Sequence, residues 1–199
     1  MRLLPIISLL ASSVYSVGFY SGGCPDLVGA QDFKLGYHFG EWKVAAYVPN
    51  PIFLKPGQTC TKVTYEKTLR QNDDFYFDIE NYTQEQDGEI KEKTFPGYYN
   101  LNEKGLLKMA KNDETDPKAD GRDIVVFYQS IRHGVAYLFG CAGIDGVTHM
   151  PIFSVVSKKG VLSKRKAEAH VKNAIRLLAN TGYSVTWASD VEYPSHYGC

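Results

Sequence analysis

The chain alternates between apolar and polar residues over short stretches, and this two-residue period is typical of β-strands with one buried face. In residues 41–47, for example, Trp42, Val44 and Ala46 fall on one face and Lys43 falls on the other. Turns rich in Gly, Pro, Asn and Asp separate the stretches. The pattern predicts eight strands, A to H, at residues 41–47, 59–67, 75–80, 89–98, 105–109, 123–129, 135–141 and 148–157.

After strand H the period becomes that of a helix. Val171, Ala174, Ile175 and Leu178 recur at helical spacing, and Ser163 is a suitable N-cap. A Thr-Gly pair then ends the pattern. The sequence predicts a helix over residues 163–180, one more strand over residues 183–187, and a tail that ends at residue 199.

Eight strands joined in hairpin order by short turns indicate an all-β fold, an up-and-down antiparallel barrel. A barrel of eight strands is wide enough inside to hold one small ligand. Such interiors are mostly apolar, with a few polar groups that orient the guest. The order of the strands therefore already favours a binding cavity.

The first residues have the organisation of a secretory signal peptide. Met1-Arg2 supplies a positive start, residues 3–11 an apolar core, and small residues follow. The apolar run is shorter than the roughly 20 residues that cross a bilayer. The sequence predicts a signal peptide at residues 1–20, cleaved near residues 16–21, and a single secreted domain at residues 21–199.

Four cysteines, Cys24, Cys60, Cys141 and Cys199, lie far apart in the sequence. An even number in a secreted chain predicts two disulfides. No Cys-x-x-Cys spacing occurs, which disfavours a zinc or redox site. The count by itself leaves three pairings open.

Charge and motifs narrow the range of functions. Lys plus Arg and Asp plus Glu both total 22, so no net charge attracts nucleic acid or an anionic membrane. The five histidines show no metal-ligand spacing, and no nucleophile or phosphate-binding motif is present. We therefore expect neither an enzyme nor a metal site. Asn81-Tyr82-Thr83 is an N-glycosylation sequon, which fits an extracellular chain.

Gly40-Glu41-Trp42 opens strand A after the aromatic segment 32–39. Gly40 permits backbone angles that a β-carbon resists, and a large ring at this point can plug the closed end of a small barrel. The tripeptide alone also fits a core tryptophan after a turn. Here it occurs together with Cys24-Pro25, Tyr47-Val48-Pro49-Asn50 and Phe139-Gly140-Cys141.

This combination resembles the lipocalin family, whose first signature is Gly-x-Trp, over nearly the whole mature chain. It is most similar to the apolipoprotein D group, which also holds insect bilin-binding proteins and crustacean carotenoid-binding subunits. The resemblance implies that the helix at 163–180 packs outside the barrel. It also implies the disulfides Cys24–Cys141 and Cys60–Cys199, because this group ties its N-terminal segment to strand G and strand B to its C-terminal tail.

Two further lipocalin motifs are altered. The family's Thr-Asp-Tyr motif between strands F and G aligns with residues 130–132, and its arginine at the end of strand H aligns with residues 157–159. In the family this arginine packs over the tryptophan. A lysine at 158 or 159 can approximate the cation but not the flat guanidinium, and Arg132, at the same closed end, can substitute. Gly40, Trp42 and Arg132 are the candidate structural residues.

Alternation also nominates side chains that face the ligand. Tyrosine offers a flat face to a planar guest and a hydroxyl to its polar end. Part of such a set is ordinary barrel core, and a phase error of one residue turns a whole strand's set outward. The candidates are Val44, Ala46, Val63, Tyr65, Phe75, Phe77, Val126, Tyr128 and Tyr137.

The loop between strands A and B carries an apolar tip, Ile52-Phe53-Leu54, at the predicted open end. An apolar tip of this kind fits a lid, a membrane contact, or a contact with a partner protein or a second subunit. The sequence leaves these three roles open.

Three functions remain. The resemblance implies a carrier of a small hydrophobic molecule, such as a bilin (a tetrapyrrole), carotenoid, retinoid, sterol or fatty acid, with no required cofactor. The alternative is a secreted interaction protein that acts through its open-end loops, as some arthropod lipocalins do. A barrel enzyme is the third, because the family's prostaglandin isomerase uses a free cysteine inside the barrel. All four cysteines here are assigned to disulfides, so we do not expect an enzyme. We predict a carrier, with the interaction protein as the alternative.

Overall fold

The structure is a computed structural model, and it describes residues 19–50, 54–71, 74–84, 88–110, 116–143, 147–197 and 199. Most of the predicted signal peptide, as well as Ile52 and Phe53, lies outside the described residues. The strands are β1 (Tyr20–Ser21), β2 (Gly40–Tyr47), β3 (Thr59–Gln71), β4 (Asp74–Gln84), β5 (Ile90–Asn100), β6 (Leu106–Met109), β7 (Arg122–Ser130), β8 (Val135–Gly143) and β9 (Thr148–Ser157). The helices are α1 (Leu35–His38), α2 (Pro117–Asp120) and α3 (Lys164–Ala179), and a 3₁₀ turn spans Ala188–Asp190.

Strands β2 to β9 form a closed antiparallel barrel and correspond to the predicted strands A to H. Each strand pairs with the next in sequence, and β9 pairs with both β8 and β2, which closes the wall. The short β1 adds to β9 through Tyr20 and Ser21. The predicted up-and-down barrel is therefore confirmed.

Two predicted elements differ from the structure. Strands β3 and β4 run beyond residues 67 and 80, because their hairpin stays paired from Thr59↔Gln84 to Gln71↔Asp74. The predicted strand at residues 183–187 is wrong, since this segment is irregular. Tyr183 and Trp187 are buried against the outside of the barrel. The alternation of apolar residues in this segment therefore reflects burial and not pairing in a sheet.

Apolar side chains form two clusters, one on each side of the barrel wall. The inner cluster fills the barrel and contains Trp42, Val44, Val63, Tyr65, Phe77, Ile79, Phe95, Tyr99, Leu107, Met109, Ile124, Val126, Ala136, Leu138 and Val156, among others. The outer cluster lies beneath α3 and contains Ala45, Ala46, Val135, Tyr137, Phe139, Phe153, Val155 and Trp187, among others.

Helix α3 packs on the outside of the barrel, as the resemblance implied. Its buried face consists of Ala167, Val171, Ala174 and Leu178, which recur every three to four residues. Trp187 is fully buried beside it, and its ring centroid lies 4.7 Å from that of Phe153. One side of the barrel is therefore apolar on both faces.

Two disulfides join the terminal segments to the wall. Cys24 is bonded to Cys141 on β8, and Cys60 on β3 is bonded to Cys199 in the tail. Both pairings implied by the resemblance are present. The terminal segments also pair with the wall, β1 with β9 and Glu192 with Tyr47. The disulfides add covalent restraints to these chain ends, which in most domains fray unless they are tied down.

Candidate ligand cavity

A cavity lies inside the barrel, with a lining drawn from β2, β3, β4, β6, β7, β8 and β9 and from the loop between β2 and β3. Its walls are mostly aliphatic, as in binding sites for apolar molecules. The cavity has a volume of about 70 Å³, and the space out to its open mouth, solvent included, is about 590 Å³. It is lined by Val44, Leu54, Val63, Tyr65, Ile79, Asn81, Leu107, Met109, Ile124, Leu138, Ile152, Ser154 and Val156.

Aromatic rings close the deep end of the barrel below Tyr65. The ring of His38 lies 4.3 Å from that of Tyr65 and 5.4 Å from that of Trp42, measured between centroids. Both ring nitrogens of His38 are buried without a hydrogen-bond partner among the described residues. Burial, with a smaller contribution from the charge of Lys158, lowers the pKa of His38 to about 3. This imidazole is therefore neutral at pH 7.

Lys158 is the cation at the closed end. Its ammonium lies 5.4 Å from the centroid of the Trp42 ring and 4.7 Å from that of Tyr37. It donates hydrogen bonds to the carbonyls of Tyr37 (2.6 Å) and Phe39. Burial lowers the pKa of Lys158. A lysine thus takes the position of the family's arginine, although without its planar fork.

Arg132 does not perform the structural role predicted for it. Its side chain is exposed in the turn between β7 and β8, and its carbonyl accepts a hydrogen bond from Lys159. The sequence placed Arg132 at the correct end of the barrel. The register of β9, which ends at Ser157, determines that Lys158 reaches Trp42 instead. Gly40 has a φ of 96°, consistent with its predicted role at the start of β2.

The C-terminal tail holds the loop at the cavity mouth. The carboxylate of Glu192 accepts hydrogen bonds from the Tyr47 hydroxyl (2.9 Å) and from the backbone N–H of Gly57 (2.7 Å). The backbones of Tyr47 and Glu192 also exchange two hydrogen bonds. This loop presents Leu54 to the cavity, where it is half-buried. Leu54 therefore has the position of a lid residue.

Six of the nine candidate pocket residues face the barrel interior. Val44, Val63 and Tyr65 line the cavity itself. Phe77 and Val126 belong to the inner cluster, and Phe75 packs against it.

The other three candidates, Ala46, Tyr128 and Tyr137, lie on the outer face beneath α3, so their predicted inward orientation is wrong. Two irregularities of register, between Val44 and Ala46 in β2 and between Val126 and Tyr128 in β7, each insert one residue into the alternation. Past each one, the side chains change face.

Tyr137 illustrates the outer environment. Its hydroxyl lies 2.8 Å from Nδ1 of His170 on α3 and accepts a hydrogen bond from Asn173. Its ring stacks on that of Tyr128 at 4.5 Å. These contacts attach the helix to the barrel wall, so both tyrosines stabilise the fold and do not reach a guest.

Sequence reasoning missed most of the wall opposite β3. In β8 the inward residues are Ala136 and Leu138, whereas the larger Tyr137 and Phe139 face outward. Both faces of β8 are apolar, so the alternation of apolar and polar residues cannot show which side chains of this strand point into the barrel. The missed lining residues are Ile79, Leu107, Met109, Ile124, Leu138, Ile152, Ser154 and Val156, together with Asn81.

Asn81 faces the cavity, although its sequon predicted a glycan on the surface. It pairs directly with Val63 across β3 and β4, and lies two residues from the buried Ile79, so all three share the inner face. Thr83 of the same sequon is also buried, with its hydroxyl 3.2 Å from that of Thr61. The Asn81 side chain is half-buried and lies among the residues that line the cavity.

Across the described ranges, no cluster of three or more His, Cys, Asp or Glu side chains could hold a metal ion. No helix within those ranges is both long and apolar enough to cross a bilayer.

No family model matches the sequence, and no curated protein matches it. Solved structures do match. Lobster apocrustacyanin A1 is 14% identical with a TM-score of 0.61, over 90% of this chain and 91% of that chain. Apocrustacyanin C2 is 15% identical with a TM-score of 0.63, over 91% and 92% of the two chains. H1 crustacyanin of the lobster Homarus americanus is 14% identical with a TM-score of 0.61, over 91% and 92%. The chain therefore has the lipocalin fold that it shares with the crustacyanins, as its sequence resemblance predicted.

Proposed function

We propose that this protein is a secreted carrier that holds a small, mostly apolar molecule in its barrel cavity. The observation that supports the proposal most directly is the aliphatic lining that opens at a mouth covered by Leu54. Burial of apolar surface in such a site contributes roughly 25 cal/mol per Å². The resemblance to carotenoid- and bilin-binding lipocalins adds a pigment to the candidate guests.

Secretion is part of the proposal. Two disulfides form and persist in oxidising compartments, and the N-terminal residues have the organisation of a signal peptide. We propose no catalysis in the cavity. All four cysteines are disulfide-bonded, so the barrel has no thiol of the kind that the prostaglandin isomerase uses.

The first test fills the cavity from its wall. We expect the neutral fluorophore N-phenyl-1-naphthylamine to bind the wild type with micromolar affinity. Val63→Phe should weaken binding about tenfold or more, because the added ring occupies guest space. Val28→Phe, at a side chain that is 76% exposed, is the matched control and should bind as the wild type does. Equal binding by all three proteins, or no binding by the wild type, would refute a carrier function.

The second test concerns the lid. Leu54→Ser should increase the dissociation rate of the same fluorophore about fivefold, because about 1 kcal/mol of apolar contact at the mouth is lost. The matched control is Leu101→Ser at the opposite, closed end, where the side chain is already 37% exposed. Stopped-flow displacement measures both rates. An unchanged rate for Leu54→Ser would show that this loop does not close the cavity.

Leu54 also bears on the alternative function. An interaction protein would present its apolar tip to solvent, but Leu54 is half-buried and faces inward. Of the three roles left open for the tip, this orientation favours a lid. We accordingly place the carrier before the interaction protein.

A further inference from the structure

The cavity contains three polar side chains that are unusual in an otherwise aliphatic wall. They are the hydroxyl of Tyr65, the amide of Asn81 and the hydroxyl of Ser154. None of the three side chains makes a hydrogen bond to another group in the part of the chain that the structure describes. Asn81 and Ser154 are half-buried and the cavity is open, so water can hydrate these groups while no guest is bound. A guest that displaces this water must replace its hydrogen bonds or lose affinity.

The three groups lie at different places in the cavity. Tyr65 is opposite Gly40 in the ladder and so lies near the closed end, above His38. Asn81 is on β4, two residues nearer the mouth than Ile79, which pairs with Tyr65. Ser154 is on β9, three strands away around the wall. A guest therefore meets a polar group deep in the barrel and two more on separate walls.

No lining residue within the described part of the chain is charged. The nearest cation on β5 is Lys93, which pairs with Asn81 and is exposed. Burial of a carboxylate without a charged partner is costly, whereas a hydroxyl or carbonyl needs only a hydrogen bond. The lining therefore matches a neutral guest better than an anionic one.

We infer that Asn81 is a ligand-contacting residue and not a glycan carrier, and that with Tyr65 and Ser154 it selects an apolar molecule with a neutral hydroxyl or carbonyl group. The inference rests on the proposed carrier function and makes it more specific. Among the candidate guests it favours a carotenoid, retinol or sterol over a fatty acid or a bilin, both of which carry carboxylates. Asn81 suits this role because its amide both donates and accepts.

The sequon gives the inference a second consequence. Asn81 lines the cavity, and Thr83, two residues further along the same face of β4, is only 6% exposed. An oligosaccharide on Asn81 would have to occupy the barrel or hold β3 and β4 apart. The folded, secreted protein should therefore leave the Asn81 peptide unglycosylated.

The binding test uses all-trans-retinol and all-trans-retinoic acid, which share an apolar body and differ in their terminal group. At pH 7.5 the wild type should bind retinol at least about tenfold more tightly. Asn81→Leu should weaken retinol binding about 3- to 10-fold, the range expected for one neutral hydrogen bond. Asn102→Leu, in an exposed turn, is the control and should leave retinol affinity unchanged.

Ser154→Ala is the second variant, which keeps the test decisive if Asn81→Leu does not fold. It should weaken retinol binding without loss of thermal stability. If the wild type binds both retinoids and both variants bind them with the same affinity, the inference is overturned but the carrier function stands. Failure of the wild type to bind either retinoid or the naphthylamine would overturn the carrier function itself.

Variants that add or remove a positive charge near the cavity test the preference for a neutral guest more directly. Asn81→Lys should reverse the preference toward retinoic acid, because a cation then faces the carboxylate. Tighter binding of retinoic acid by the wild type, abolished by Lys93→Gln, would show an anionic guest held at the rim and would overturn the neutral-guest inference. Peptide mass mapping of the protein secreted from insect cells completes the test, and a folded protein with a glycan on Asn81 would also overturn it.

Discussion

Removal of the Cys60–Cys199 disulfide by the double change Cys60→Ser/Cys199→Ser should lower the midpoint of thermal unfolding by about 10 °C. The bond closes a loop of 139 residues. In the chain-entropy model a closure of this length contributes about 5 kcal/mol, an upper figure that residual structure in the unfolded chain reduces. In a domain of this size, 1 kcal/mol shifts the midpoint by about 2–4 °C. Calorimetry measures the change.

The second disulfide provides the comparison. Cys24→Ser/Cys141→Ser opens a loop of 117 residues and should destabilise by a similar amount. The two losses differ in their effect on the cavity. Only the tail bond anchors the segment whose Glu192 holds Tyr47 and Gly57, so only its loss should increase the dissociation rate of the bound fluorophore. Equal dissociation rates of the fluorophore in the two double variants would show that the C-terminal tail does not hold the cavity mouth closed.

Acid should destabilise the protein through His38. In the unfolded chain a histidine titrates near 6.5, whereas burial lowers the pKa of folded His38 to about 3. As the pH falls below 6.5 the unfolded chain takes up this proton and the folded chain does not, so stability is lost down to about pH 3. By pH 5 this one residue should cost about 2 kcal/mol of the free energy of unfolding.

His38→Leu isolates this contribution. The groups that face His38 are Phe33, Trp42, Tyr65 and the more distant Lys158, so an aliphatic side chain meets mainly apolar neighbours. The variant should lose about 2 kcal/mol less than the wild type between pH 7.5 and pH 5 in urea titrations. His133→Leu, in an exposed turn, is the control and should follow the wild type. If His38→Leu loses as much of its free energy of unfolding between pH 7.5 and pH 5 as the wild type does, the acid sensitivity arises from carboxylates and not from His38.

The sequence by itself determined the order of the strands, the closed end and the helix, because each depends on signals that lie close together in the chain. Alternation located β2 to β9 within a few residues. Gly40 and Trp42 marked the closed end, and the spacing of Val171, Ala174 and Leu178 marked the buried face of α3. The disulfide pairing came from the family resemblance and not from the spacing of the cysteines.

Only the tertiary structure decided which side chains reach the cavity. The register shifts in β2 and β7 turn Ala46 and Tyr128 outward, and each shift is defined by a partner strand far away in sequence. Helix α3 makes the outer face of β8 apolar, which conceals the phase of Tyr137. Burial of a strand face depends on what folds against it. For the same reason Asn81, whose sequon suggests a surface position in the sequence, is half-buried and lines the cavity.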